Sequence, residues 1–303
     1  MPDLPRISLV TPNLNGNRFL ESCLRSVLDQ GYPELEYVVV DGLSTDDSLT
    51  TITRFGSKLA HIVSEQDKGH YSAIEKGFRL SSGNIMGWLN SDDWLLPGSL
   101  RMVGEIFATY PDLRWLTTSY PLTMDSNSSL VRQRFIGGFN ATTFYQCANL
   151  PFGNHYQRGN IQQESTFWRR SLWNDAGGSL SMNHGLAGDF ELWSRFFKHA
   201  DLHSVRSPIG AFCLHGDQLS IKSSAQYYND AVGALTKHGG KLPSQRTSAI
   251  RRTMNGIIGN GPANGRQPVT LVRLLRLSHL VTPAPVIYRE PFDGWKLATE
   301  FIV

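Results

Sequence analysis

The sequence predicts an α/β protein with a mostly parallel sheet covered by helices on both faces, and three observations predict it. Short, continuously apolar, β-branched runs alternate with helical patterns through the first ninety or so residues. Glycines and small polar residues punctuate each change of pattern. The composition, 40% hydrophobic and 11% aromatic over 303 residues, is apolar enough to fill a sizeable core and too apolar for a disordered chain.

The elements follow in order. ISLVT (7–11) is the first strand, and a helical pattern over 19–30 then puts Phe19, Leu20, Leu24, Val27 and Leu28 on one side and stops at Gly31. LEYVVVD (35–41) is the second strand, followed by a helix over 46–54. A third strand falls near 60–64 and a third helix near 71–80, and Gly83 turns the chain into NIMGWLN (84–90). RWLTTSY (114–120) and SLVRQRFIG (129–137) read as strands and HYQRGNIQQES (155–165) as a loop. TFWRRSLWNDAGG reads as a strand followed by a glycine-capped helix, and DFELWSRFFKHA (189–200) as a helix.

Charge is uneven. The net charge is +3, yet residues 1–240 hold 20 Lys/Arg against 23 Asp/Glu, whereas 241–303 hold 9 against 3. A basic tail suits nucleic acid, anionic lipid or solvent, and without an RRM, zinc-finger or helix-turn-helix pattern no nucleic-acid partner is predicted. Cys23, Cys147 and Cys213 are odd in number and far apart, so neither a disulfide framework nor a thiolate zinc site is indicated. No apolar run approaches the roughly 18 residues of a spanning helix, and two early prolines break any signal-peptide core, which predicts a cytoplasmic catalytic body.

In open parallel sheets ligands bind beyond the carboxyl ends of the strands. Three polar clusters stand there: Pro12, Asn13 and Asn15; Asp41, Gly42 and Ser44; and Ser91, Asp92 and Asp93. Neighbouring carboxylates half out of water repel unless a cation lies between them, so Asp92 and Asp93 point to Mg²⁺ or Mn²⁺ with phosphate as a further ligand. The plainer alternative is that Asp92 caps the helix starting near Pro97 and Asp93 is solvated.

ISLVTPNLNG, VVVDGLSTDDS, SEQDKGHYSAIEKGFRLSSGNIMGWLNSDDWLLPGSL, QQESTFWRRSLWNDAGG and LAGDFELWSRF, in that order over residues 6–222, resemble the successive motifs of glycosyltransferase family two. The resemblance implies the GT-A type of fold, a single Rossmann-like sheet, and transfer of a sugar from a nucleotide-sugar donor with inversion. It implies a catalytic domain over 1–222, with a nucleotide-binding half (1–120) and an acceptor half (121–222), followed by a basic helical extension (223–303). Carried over residue by residue, it makes Asp41 the partner of the nucleobase, Asp92 that of the ribose, and Asp93 the ligand of metal and diphosphate. Asp67, Lys68 and His70 meet the donor, and Gln162 and Gln163 lie near sugar and acceptor. His215 completes the metal shell, and Asp189 is the base that activates the acceptor hydroxyl.

Each role has a bland counterpart. Asp41 can be a turn residue before Gly42, and Asp189 can simply complement a helix dipole. Lys68 can be surface charge, His215 structural, and Trp88, Trp94, Trp168, Trp173 and Trp193 core residues. Where the family more often carries an acidic or other residue before the base, this chain has Gly188.

The family's polysaccharide pathways imply a UDP-sugar donor and a glycan or lipid-linked acceptor. In the tail, LVRLLRLSHLV (271–281) puts Arg273, Arg276 and His279 on one helical stripe. With Arg246, Arg251, Arg252 and Arg266 this suits peripheral contact with the inner face of the plasma membrane. The alternative is packing against the catalytic domain.

Overall fold

The computed structural model describes residues 3–152, 158–181, 185–244, 246–250, 253 and 282–302. In chain order the elements are β1 (Ile7–Asn13), α1 (Asn17–Leu28), β2 (Leu35–Asp41), α2 (Ser48–Arg54), β3 (His61–Ser64), α3 (His70–Leu80), β4 (Ile85–Trp88), β5 (Trp94–Leu95) and α4 (Ser99–Thr109). There follow β6 (Trp115–Thr118), β7 (Leu122–Asp125), β8 (Leu130–Gln133), α5 (Ala141–Tyr145), β9 (Phe167–Arg169), α6 (Arg170–Asp175), α7 (Gly188–Phe196), β10 (Leu202–Val205), β11 (Gly210–Leu214), α8 (Leu219–Lys222), α9 (Ser224–Lys237), β12 (Thr282–Glu290) and β13 (Gly294–Ile302).

The main sheet runs β13-β12-β10-β6-β9-β4-β1-β2-β3. It is parallel except for β9, which inserts antiparallel between β4 and β6, and for β13 at its edge. β1 is buried along its whole length, which explains its unbroken apolar run. Successive residues of β1 and β2 serve opposite layers. Val10, Val38 and Val40 join one core with α3, α6 and α7, while Leu9, Tyr37 and Val39 join another with α1 and α4. Pro12 is tolerated mid-sheet because pairing of β1 with β4 ends at Val10, so its missing N–H removes no rung there.

Two features depart from the sequence expectation. First, the sheet is not single: β5-β11-β7-β8 forms a second, small sheet, built when β11 pairs antiparallel with β5 and parallel with β7. Secondly, the extension over 223–303 is helical at its start, in α9, but ends as the β12–β13 hairpin. β12 pairs parallel with β10 and buries Ile287 in the main core. The turn PFDG and the β-branched, aromatic run VIYRE are the local signals for that hairpin. Asn140 clasps the start of β12 through Thr282 Oγ1 and Pro283 O, and Tyr110 Oη donates to Trp295 O. The expected stripe of Arg273, Arg276 and His279 lies outside the described residues, as do Arg251, Arg252 and Arg266. No helix among the described residues is long and apolar enough to cross a membrane. Cys23, Cys147 and Cys213 are buried thiols, none of them in a disulfide.

Candidate active site

The carboxyl ends of β1, β2 and β4 open onto one crevice, and the loop after β1 closes on the loop after β4. A Cβ at Gly16 would collide with Asn13 Oδ1 and Ser91 Oγ as they stand, so the glycine lets the two loops meet without moving those side chains. At the end of β2, Asp41 is wholly buried. Its Oδ1 accepts from Asn13 Nδ2 (2.8 Å) and Ser44 Oγ, and its Oδ2 from Ser44 N (3.0 Å) and Ser64 Oγ (3.0 Å). Four donors exhaust a carboxylate's acceptor positions. Burial works against the charge, but the hydrogen bonds from Ser44, Asn13 and Ser64 outweigh it and hold the carboxyl below its ordinary range. In this arrangement Asp41 pins the loop over 42–44, and the expected contact with a nucleobase would share its oxygens with these internal donors.

The neighbours Asp92 and Asp93 stand in different surroundings. Asp93 is fully buried and turned inward, where Oδ1 accepts from the Cys213 amide (2.9 Å) and Oδ2 from Asn90 Nδ2 (3.1 Å). Burial, then the charges of Glu164 and Asp92, push its carboxyl well above the ordinary range. Asp92 faces the crevice, and its Oδ2 lies 2.9 Å from His215 Nε2. The His215 ring is stacked on Phe19 at 4.6 Å between centroids, which fixes its orientation. The reason is tertiary: pairing of β11 with β5 carries the Cys213 amide onto Asp93 and leaves Asp92 to His215.

A carboxylate oxygen and an imidazole nitrogen at this separation form a donor set suited to Mn²⁺ and acceptable to Mg²⁺. Among the described residues no three His, Cys, Asp or Glu side chains gather into a ready cage. A cation held by Asp92 and His215 would take its other ligands from phosphate and water.

Asp189 lies in the first turn of α7. Tyr227 Oη, from α9, donates to its Oδ2 at 2.8 Å, and the Phe190 amide to its Oδ1 at 2.7 Å. Burial raises the carboxyl above its ordinary range, and the Tyr227 and Phe190 bonds draw it part of the way back. The departure at Gly188 now has a cause. The Tyr71 ring would lie 2.7 Å from a Cβ there, and Tyr71 Oη donates to Leu186 O at 2.7 Å, bracing the approach to Asp189.

Glu164 lies in a short 3₁₀ turn, Gln163–Ser165, close to the end of β4. It is 4% exposed, and among the described residues its Oε1 has no hydrogen-bond partner. Burial, and further the charges of Asp92 and Asp189, raise its carboxyl far above the ordinary range. The two glutamines before it differ. Gln162 exchanges hydrogen bonds with the Leu122 backbone and so anchors β7. Gln163 donates to Trp88 O at 2.7 Å while its Oε1 stays unpartnered.

Of the other expected residues, Asp67 is held by Lys76 Nζ at 2.6 Å, which Glu65 also engages. Lys68 is exposed, and His70 opens α3 beside Tyr71, its ring 5.3 Å from that of the tyrosine. The tryptophans Trp88, Trp94, Trp168, Trp173 and Trp193 are all buried, so they build the core and none lies open to stack on a sugar. Sequence reasoning missed Glu164, Tyr71, Lys76 and Tyr227. For Glu164 a signal existed, an acid inside the apolar-flanked QQES turn; for Tyr227 none did. An open groove of about 630 Å³ beside α1, lined by residues that include Arg25, Asp29 and Trp94, holds none of these site residues.

Residues 8–178 match the family described as glycosyl transferase family 2. An uncharacterized glycosyltransferase of Nostoc sp. is 31% identical over 270 residues, 82% of this chain and 82% of that one. TuaG of Bacillus subtilis, a putative teichuronic acid biosynthesis glycosyltransferase, is 32% identical over 92 residues, 29% of this chain and only 36% of its own length. Among solved structures, S. aureus TarS 1–349 in complex with UDP-GlcNAc has a TM-score of 0.59 at 15% identity, over 86% of this chain and 74% of that one. The mannosyltransferase PcManGT of Pyrobaculum calidifontis, in complex with GDP-Man and Mn²⁺, has a TM-score of 0.55 at 16% identity, over 92% and 83%. At such identities the likeness shows the fold, which is GT-A. The family match spans more than half of the 303 residues, and the Nostoc relative aligns over four-fifths of both chains: the chain belongs to glycosyl transferase family 2.

Proposed function

We propose that this chain is a metal-dependent, inverting hexosyltransferase that moves a sugar from a nucleotide diphosphate sugar, foremost a UDP-sugar, to a hydroxyl of a glycan or lipid-linked glycan in surface polysaccharide assembly. The observations that support the reading are the Asp92–His215 pair beyond the carboxyl end of β4 and Asp189 held by Tyr227 and the Phe190 amide at the start of α7. The names of relatives such as TuaG support the pathway, and the nucleotide-sugar and Mn²⁺ complexes of the structural neighbours support the donor and the cation.

Asp189 takes the proton of the acceptor hydroxyl as that oxygen bonds to the anomeric carbon and the bond from that carbon to the diphosphate oxygen breaks. One displacement inverts the configuration. A carboxyl raised toward neutrality suits general-base work, and Tyr227 with the Phe190 amide holds it in one orientation. Asp92 and His215 would hold the divalent cation, which supplies Lewis-acid neutralisation of the departing diphosphate. Pro12, Asn13 and the loop pinned by Asp41 form the nucleoside side. Asp67, Lys68 and His70 line the start of α3, whose free N–H groups favour anionic phosphate. Lipid-linked acceptors would bring the chain to the inner face of the plasma membrane, with the basic stretch over 246–281 nearest the lipid.

The test is thermal stabilisation by a panel of nucleotide sugars with Mn²⁺ present, followed by NMR of the product. A donor that binds the folded state raises the melting temperature. Stabilisation by no member of the panel would sink the transferase reading, and a product that retains the donor's anomeric configuration would refute the single displacement.

A further inference from the structure

A sugar in transit from donor to acceptor must lie between the groups that face the diphosphate and the group that faces the acceptor hydroxyl. Glu164 stands near those groups: its turn is tied to the carboxyl end of β4 through Gln163 and Trp88 O and packs on Gly210 of β11, and the charges of both Asp92 and Asp189 reach its carboxyl. Its Oε1 is buried without a hydrogen-bond partner, and so is Oε1 of the adjacent Gln163, which is 8% exposed. Buried polar atoms are paired in folded proteins with few exceptions, so two oxygens without a partner among the described residues, on successive residues of one short turn, are places where a ligand can pair.

The turn is built to hold its position. Gln162 is tied to the Leu122 backbone, Gln163 to Trp88 O, and Ser165 Oγ accepts from the Gly210 amide at 3.0 Å. Gly210 packs so closely that a Cβ there would come within 2.7 Å of the Glu164 carbonyl oxygen. The small sheet, through β11, thus fixes both His215 and the backbone of Glu164.

We propose that Glu164 is a specificity-determining residue: its carboxyl pairs with a hydroxyl of the transferred sugar, with Gln163 Oε1 beside it as a second acceptor. The inference rests on the transferase reading. A sugar hydroxyl donates and accepts, so it pairs with the carboxyl in either protonation form. The nucleoside diphosphate portion of the donor lies on the Asp92 side and does not need Glu164.

Calorimetric titration with Mn²⁺ separates the two portions, using UDP against UDP-sugars and GDP against GDP-sugars on wild type, Glu164→Ala, Glu164→Asp and Glu164→Gln. The expected result is that Glu164→Ala weakens the nucleotide sugar by about tenfold, the loss of roughly one good hydrogen bond, with nucleoside diphosphate affinity unchanged. Glu164→Asp withdraws the carboxyl by one methylene and produces the same split, which decides the question if the alanine variant does not fold. Glu164→Gln keeps an acceptor and a donor at the same reach, retains binding and alters the ranking among sugars. Equal weakening of both ligand types would make Glu164 structural and overturn the proposal, as would undiminished nucleotide-sugar binding in the alanine or aspartate variant. A wild-type protein that binds the nucleoside diphosphates but no nucleotide sugar, or neither, defeats the transferase reading and this inference with it.

Discussion

Asp41 and Glu164 are both buried carboxyls, and their surroundings are opposite. Four donors from Asn13, Ser44 and Ser64 fill every acceptor position of Asp41 and keep it ionised. Glu164 has an orphan oxygen and carboxylate neighbours, and is pushed toward its neutral form. The difference teaches that a polar group at a strand end is not thereby a ligand group. A saturated carboxyl is spent on the fold, because any contact it offers a substrate must first displace an internal donor. An unsaturated one costs stability until something binds.

The sharpest way to break this comparison is at the two poles of the site. Asp92→Ala should abolish Mn²⁺-dependent nucleotide-sugar binding, whereas Asp93→Asn should act on stability; calorimetry beside thermal unfolding distinguishes them, and the reverse pattern would restore the metal to Asp93. Asp189→Asn should slow transfer by about 10² or more with donor affinity kept, the loss expected of a general base. Equal damage to affinity and turnover would instead mark Asp189 as a helix-start residue.

Smaller effects sharpen the contrast. Asp41→Ala should cost about 2 kcal/mol of stability or more by stranding its donors, while Glu164→Gln should leave stability unchanged or raised, as denaturant unfolding would show. Because the Asp41 carboxyl is held below its ordinary value, its contribution is present above about pH 4 and is lost as pH falls through the lowered native value. The gap between wild type and Asp41→Ala should therefore close in acid. Tyr227→Phe removes a hydrogen bond that favours ionised Asp189, so the acid limb of the pH–rate profile should move to higher pH. Smallest is the tail. Replacing Arg251, Arg252, Arg266, Arg273 and Arg276 by glutamine should lessen pelleting with anionic vesicles at low salt, each basic residue near the surface contributing roughly 1 kcal/mol. This leaves the β12–β13 hairpin in place, whereas ending the chain at Gly240 would uncover β10.

The sequence by itself determined the β–α alternation through β4, the covering of both sheet faces, and the family, because apolar periodicity and the order of short motifs are properties of neighbouring residues. LEYVVVD, for example, is β2 to the residue. It also placed Asp189 at a helix start and the polar clusters at strand ends. Only the tertiary structure decided which of two adjacent aspartates faces the crevice, since the Cys213 amide that turns Asp93 inward lies 120 positions away. The same holds for Tyr227 on Asp189, for the Glu164 turn against β4 and β11 and for β12 beside β10. In each case the deciding partner is remote in the chain, and whether a buried polar group is satisfied depends on the partners that folding brings to it.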